Sequence, residues 1–206
     1  MDRKHAVLQQ YFGYTEFRPG QEELIDATLS GRDAFGVMPT GGGKSLCYQI
    51  PALLFDGITL VVSPLISLMK DQVMALKNAG IPAAFINSSL TFEQIRKVYG
   101  YIRENRYKII YVAPERLLTD GFLNAVSETE ISLIAVDEAH CISEWGQDFR
   151  PSYQKISEFI RALPYRPVVS AFTATATERV RDDIVRSLEL RDPFRIITGF
   201  DRKNLH

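Results

Sequence analysis

Along these 206 residues, short apolar runs alternate with segments of helical period, and turns rich in Gly, Pro, Ser or Thr separate them. The clearest apolar runs lie at 34–38, 59–63, 83–86, 108–113, 133–137 and 168–172. Most lack polar alternation, which predicts strands covered on both faces. Between them, Leu68, Met69, Gln72, Val73 and Leu76 share one helical face before a stop at Gly80. Tyr153, Ile156, Phe159 and Ile160 share another. Thr91 with Gln94, and Thr175 with Glu178, read as capping boxes. The helices they open would bury Ile95, Val98 and Ile102 in one case, and Val180, Ile184, Val185 and Leu188 in the other. Strand, helix, strand is the order of parallel βαβ units. The expected fold is therefore α/β, a central, mostly parallel sheet with helices on both faces. A last strand at 194–198 precedes eight residues with neither cap nor hydrophobic period. This divides the chain into one lobe, 1–198, and a linker, 199–206, toward a missing second unit.

Composition narrows the class. A chain that is 46% hydrophobic and 24% charged can build a core, and 23.3 kDa suits one α/β domain. Lys plus Arg number 24 against 25 for Asp plus Glu, giving a formal charge of -1. That excludes a uniformly basic nucleic-acid coat and leaves room for a local basic groove. Cys47 and Cys141 stand in no ligand spacing, so neither a disulfide framework nor a zinc site is expected. No apolar run approaches the roughly 18 residues that span a bilayer. The start also lacks the features of a secretory signal. No membrane partner is expected, and the expected location is cytoplasmic, nucleoid-associated if the source is bacterial.

Two segments carry candidate chemistry. The strand at 34–38 runs into Pro39-Thr40-Gly41-Gly42-Gly43-Lys44-Ser45, after which Leu46, Tyr48, Gln49 and Ile50 begin a helix. Glycines let the backbone curl until successive N–H groups point inward, where a polyphosphate can sit at the positive end of a helix. Lys44 would reach the β- and γ-phosphates, and Ser45 would offer its hydroxyl to Mg²⁺. The strict GxxxxGK[ST] pattern fails because Met38 stands where the first glycine belongs, so this is a variant. A flexible glycine turn with an exposed lysine is the bland alternative. Farther on, 133–136 leads to Asp137-Glu138-Ala139-His140, two carboxylates at the carboxyl end of an apolar strand. In an open parallel sheet that end faces the ligand crevice. Asp137 could then hold hydrated Mg²⁺ while Glu138 orients and deprotonates water. Alone, such a pair reads as a solvated turn; beside a phosphate loop it reads as catalytic. His140 has no second His at metal-binding spacing, so it is assigned to a hydrogen-bonded relay toward the γ-phosphate.

With TGGGKS, DEAH and Thr173-Ala174-Thr175 in this order, the chain resembles the first RecA-like lobe of a superfamily 2 helicase, a P-loop NTPase domain. More narrowly, it resembles RecQ family DNA helicases. Phe12-Gly13-Tyr14, Phe17-Arg18-Pro19-Gly20-Gln21, the stretch at 38–49, the stretch at 62–72, Ala113-Pro114-Glu115-Arg116 and the stretch at 137–146 carry the likeness. The resemblance implies that Gln21 reads the adenine edge, Tyr14 stacks on the base and Arg18 supports base or phosphate. Gln21 followed by Glu22 and Glu23 also reads as the polar start of a helix.

The resemblance further implies that an aromatic-rich loop at 143–151 couples single-stranded DNA to ATP hydrolysis, through Ser143, Trp145, Phe149 and Arg150. Exposed rings stack on unpaired bases at roughly 1 to 3 kcal/mol per base. Of Trp145, Phe149 and Tyr153, one is expected in the core. Ser63, Pro64, Ser67, Pro114, Glu115 and Arg116 would touch phosphate, and Thr173 and Thr175 would link the DNA track to the γ-phosphate site. Arg179, Arg181 and Arg186 are assigned to a solvated helix face. Implied cofactors are ATP and Mg²⁺. Implied partners are single-stranded and partly duplex DNA, and a second RecA-like lobe of the same full-length chain that supplies an arginine finger. The expected function is the motor lobe of an ATP-dependent helicase, with its 3′-to-5′ polarity coming from the resemblance alone, and with no unwinding by the isolated lobe. A non-catalytic, nucleotide-gated module that binds DNA or protein is the alternative. A small-molecule P-loop kinase would leave DEAH and Thr-Ala-Thr without a role.

Overall fold

The computed structural model describes residues 2–198; the expected linker lies outside them. The strands are β1 (Ala34–Val37), β2 (Ile58–Val62), β3 (Ala83–Ile86), β4 (Ile109–Val112), β5 (Ile131–Val136), β6 (Val168–Thr173) and β7 (Phe194–Ile197). They form one sheet in the order β3-β4-β2-β5-β6-β1-β7, and every adjacent pair is parallel. Each strand coincides with an apolar run of the sequence. The helices are α1 (Arg3–Val7), α2 (Gln21–Leu29), α3 (Leu46–Leu54), α4 (Ile66–Asn78), α5 (Phe92–Arg103), α6 (Asp120–Val126), α7 (Lys155–Ala162) and α8 (Glu178–Ser187). None is long and apolar enough to cross a membrane.

The strands need no polar alternation because both faces are covered. Successive side chains of β5 go to opposite sides: Ile134 and Val136 join one core, Leu133 and Ala135 the other. The first core is roofed by Tyr99 and Ile102 of α5, Phe122 of α6, Phe159 of α7 and Ile184 of α8. The second is roofed by Leu24 of α2, Tyr48 of α3, and Met69, Val73 and Leu76 of α4. Tyr153, Ile156, Phe159 and Ile160 are all buried, as their spacing predicts.

Caps separate expectation from observation. Thr91 and Gln94 form the expected capping box on α5. The box expected at Thr175 and Glu178 is absent. Thr177 is the N-cap of α8 instead, its hydroxyl accepting from the Val180 N–H at 3.3 Å. The reason is chain geometry: β6 runs through Thr173, so the next three residues are consumed in leaving the sheet. Also unforeseen are α6 and a π-helical turn, Leu8–Phe12, closed by Gly13 at φ 74°. Glycine accepts that left-handed geometry without steric cost.

Candidate nucleotide site and nucleic-acid edge

β6 separates β1 from β5, so the loops leaving the carboxyl ends of β1 and β5 flank a crevice in the sheet edge. A cleft of about 480 Å³ there is lined by Tyr14, Arg18, Gln21, Thr40, Gly41, Gly43, Lys44, Ser45, Asp137 and Glu138, together with Phe12, Glu16, Leu46 and Leu68. The sequence thus places its phosphate loop and its acids in one crevice. A larger cavity of about 960 Å³ opens at the other end of the strands, between Ile131, Leu163 and Tyr165. It contains none of the candidate residues.

The loop at 39–45 folds as its glycines require. Gly41 and Gly43 have φ of 80° and 77°. Gly42 has no room for a side chain, since a Cβ would lie 2.8 Å from the Pro39 carbonyl. Ser45 stands at the N-cap of α3 yet makes no side-chain cap bond, leaving that duty off its hydroxyl. Lys44 Nζ is 3.4 Å from the Met38 carbonyl oxygen.

Gln21 meets the polar-start reading of its sequence. It opens α2, and it is 1% exposed. Its Nε2 donates to the Gly43 carbonyl at 2.9 Å, and its Oε1 accepts from the Arg18 N–H at 2.7 Å. The Arg18 guanidinium donates to the Gly41 carbonyl. One N–H and one lone pair of the Gln21 amide remain uncommitted by these bonds, a donor and acceptor of the kind an adenine edge requires. Tyr14 is 53% exposed at the mouth of the cleft that it lines.

At the end of β5, the Asp137 N–H donates to the Val62 carbonyl at 2.9 Å, and Oδ1 accepts from the Glu138 N–H at 2.9 Å. Burial, reinforced by the Glu138 charge, pushes the Asp137 carboxyl up to about 6, while that N–H and Lys44 oppose the rise. Two adjacent carboxylates, one buried and one half-buried, beside Lys44 suit a divalent cation, which Asp137 and Ser45 could hold. Glu138 adopts φ 48° and ψ 45°, a left-handed conformation uncommon for a non-glycine residue. His140 Nδ1 lies 2.7 Å from Thr173 Oγ1 and 3.4 Å from Glu138 Oε2. The Thr173 carbonyl accepts from the Met38 N–H at 2.9 Å. β6 therefore ties the DEAH turn to the start of the phosphate loop.

The candidate DNA-contacting residues all lie on this same edge, after β2, β4, β5 and β6, but their side chains divide. Ser63 and Ser143 are buried, and their hydroxyls accept from the N–H groups of Leu65 and Trp145. They brace their loops from within. Ser67, Trp145 and Thr175 are exposed; Pro64, Arg116, Phe149 and Arg150 are half-buried. Arg150 pairs with Asp148 and reaches the Pro64 carbonyl. Tyr153 is the core member of the aromatic trio, its hydroxyl donating to the Asp137 carbonyl at 2.8 Å. Sequence spacing gave no hint of that bond, nor of the grouping of His140, Cys141 and Asp148. There Cys141 Sγ lies 3.8 Å from His140 Nε2 and 3.7 Å from Asp148 Oδ2. Burial pushes the thiol up to about 12, so it stays protonated and donates to the carboxylate. Arg179 is exposed, as its assignment to a solvated face expects, and in addition its guanidinium lies over the Trp145 ring.

Comparison with known proteins follows the same lines. The chain is 50% identical over 206 residues to the ATP-dependent DNA helicase RecQ of Bacillus subtilis (strain 168), spanning 35% of that protein. It is 51% identical over 199 residues to the RecQ of Pasteurella multocida (strain Pm70), spanning 31% of it. The chain thus spans about a third of the length of these curated relatives. Among solved structures, a hypothetical ATP-dependent RNA helicase from Sulfolobus tokodaii shares the fold, with a TM-score of 0.73 at 22% identity. That match covers 96% of this chain and 57% of the other. The Hef helicase domain of Pyrococcus furiosus matches with a TM-score of 0.67 at 21% identity, over 87% of this chain and 38% of the other. The family model described as DEAD/DEAH box helicase matches residues 18–184, from the Arg18 that touches the phosphate loop to the Ile184 of α8. Most of the sheet and both halves of the crevice fall within that match, and the chain belongs to the DEAD/DEAH box helicase family.

Proposed function

We propose that this chain is the nucleotide-binding motor lobe of an ATP-dependent 3′-to-5′ DNA helicase, and that it binds MgATP and single-stranded DNA. The observation that carries the reading is the convergence of Lys44, Ser45, Asp137 and Glu138 on one cleft. Lys44 neutralises the β- and γ-phosphates, and the N–H groups of residues 41–45 cradle them. Ser45 and Asp137 would hold Mg²⁺, which when bound would neutralise phosphate charge. Glu138 orients the attacking water and accepts its proton, with His140 and Thr173 holding Glu138 in register with β6. Gln21, Tyr14 and Arg18 hold the base. Ser67, Pro64, Arg116 and the loop at 143–151 face DNA along the adjoining edge, and partly duplex DNA is the substrate of the whole protein. A second RecA-like lobe supplies the arginine finger, a group worth about 10³ to 10⁵ in rate, so the 206-residue chain alone turns over slowly.

The test is phosphate release by the chain alone and by the chain linked to a second RecA-like lobe, each with and without oligo-dT. Slow release alone, at least tenfold stimulation by oligo-dT in the linked form, and loss of that stimulation in Glu138→Gln are expected. Calorimetry that detects no MgATP uptake, or equal uptake by Lys44→Ala, would overturn the motor reading. Nucleotide uptake without DNA-stimulated release in the linked form would favour the non-catalytic module.

A further inference from the structure

Trp145 is the single tryptophan of the sequence, 59% exposed on the loop that leaves the DEAH turn. Its backbone is anchored, because its N–H donates to the buried Ser143 hydroxyl at 3.2 Å. Its ring is not left bare: the Arg179 guanidinium carbon sits 3.2 Å from the ring centroid. Arg179 lies in the first turn of α8, two residues after the cap Thr177. The segment entering α8 begins at Thr173, whose hydroxyl meets His140 beside Glu138. One stacked pair therefore joins the aromatic loop to the helix that follows the hydrolysis site.

We propose that Arg179 is a positioning residue that occupies the face of Trp145 when DNA is absent, and that an unpaired base displaces it. The inference rests on the reading of the loop at 143–151 as the DNA-sensing element. A guanidinium and a nucleobase are both planar, and both are attracted to an indole face. They compete for the same surface with interactions of similar strength, so the exchange is readily reversible. Departure of Arg179 uncouples the loop from the start of α8 and frees a cation beside the incoming nucleotide's phosphate. Occupancy by DNA is thereby signalled to the Thr173 end of the relay. The cost of displacing Arg179 also lowers the affinity of the resting chain for single strands.

Because the sequence holds one tryptophan, fluorescence excited at the red edge of the absorption band, where its tyrosines absorb little, reads Trp145 alone. In the DNA-free chain, Arg179→Gln should shift the emission and raise the acrylamide quenching constant about twofold, with Arg179→Lys between it and the parent. With oligo-dT at fixed salt, Arg179→Lys keeps the charge but weakens the stack, and should bind about two- to fivefold more tightly than the parent. An intact stack with the base on the opposite ring face predicts the reverse, weaker binding by Arg179→Lys. That result, or equal binding, overturns the displacement. Unchanged emission and quenching in Arg179→Gln overturn the resting stack itself. If oligo-dT neither binds nor alters Trp145 emission in any variant, the DNA reading of the loop falls, and this proposal with it.

Discussion

Asp137 sits at the end of an apolar strand, 6% exposed, in surroundings that oppose its charge. Burial, and after it the neighbouring Glu138, pushes its carboxyl from the ordinary value of 3.8 up to about 6. A carboxyl raised on folding binds its proton more tightly in the native state than in the unfolded chain. Stability therefore falls as pH rises through the interval from about 4 to about 6, and the full cost is present above it. A shift of about two pH units corresponds to roughly 3 kcal/mol. Asp137→Asn removes the charge while keeping an oxygen to accept from the Glu138 N–H. Urea unfolding in EDTA should show the variant about 1 to 3 kcal/mol more stable than the parent near neutral pH, with the gap closing toward about pH 4. A variant less stable at both ends of that range would mean that the carboxylate is stabilising where it stands. The acidic pair is legible from its place after an apolar run. The left-handed Glu138 backbone is not, because only the turn toward Ala139 demands it.

Between elements, one dense polar joint among the described residues is announced by no motif. Asp33, just before β1, is 3% exposed and accepts from both terminal nitrogens of Arg166, at 3.1 and 2.6 Å. It also accepts from the N–H groups of Val169 in β6, at 2.9 Å, and of Arg191, at 2.7 Å. Its own carbonyl takes the N–H of Phe194, the first residue of β7. The amino ends of β1, β6 and β7 are thus gathered on one residue, at the edge of the sheet opposite the crevice. Removing the carboxylate strands a part-buried guanidinium and two backbone donors. Asp33→Ala should lower the free energy of unfolding by about 3 to 5 kcal/mol in a urea titration; a loss below about 1 kcal/mol would show that solvent replaces those bonds. Strands are legible because two-sided burial leaves unbroken apolar runs, and long helices because their buried faces recur. The cap of α8 is ambiguous locally, since Thr175 and Thr177 are equally good capping residues, and the exit of β6 decides between them. The seven-residue α6 is too short to display a period.

At the scale of the whole molecule, the motifs' order along the chain does not say which strand separates them; the sheet order does, and it assembles the crevice. Charge is legible earlier, because a formal net charge of -1 already excludes a basic coat. The structure sharpens that constraint along the carboxyl edge. Arg150 is paired with Asp148 and held there by two N–H donors, and Arg179 is stacked on Trp145. Arg116 stands half-buried after β4. Among the described candidate contact residues, Arg116, Arg150 and Arg179, two already hold a partner, and any exchange at Arg150 must first break an existing pair. For single strands, log K falls with log salt at a slope near −0.7 per phosphate neutralised, so two or three contacts give about −1.5 to −2. Stacking on an aromatic face depends little on salt and supplies the remainder. Titration of the chain with oligo-dT, followed by Trp145 emission between about 50 and 200 mM salt, should give weak binding with that shallow slope. A slope steeper than about −4 would require an extended basic track. Such a track would move the main DNA contact of this lobe away from the aromatic loop.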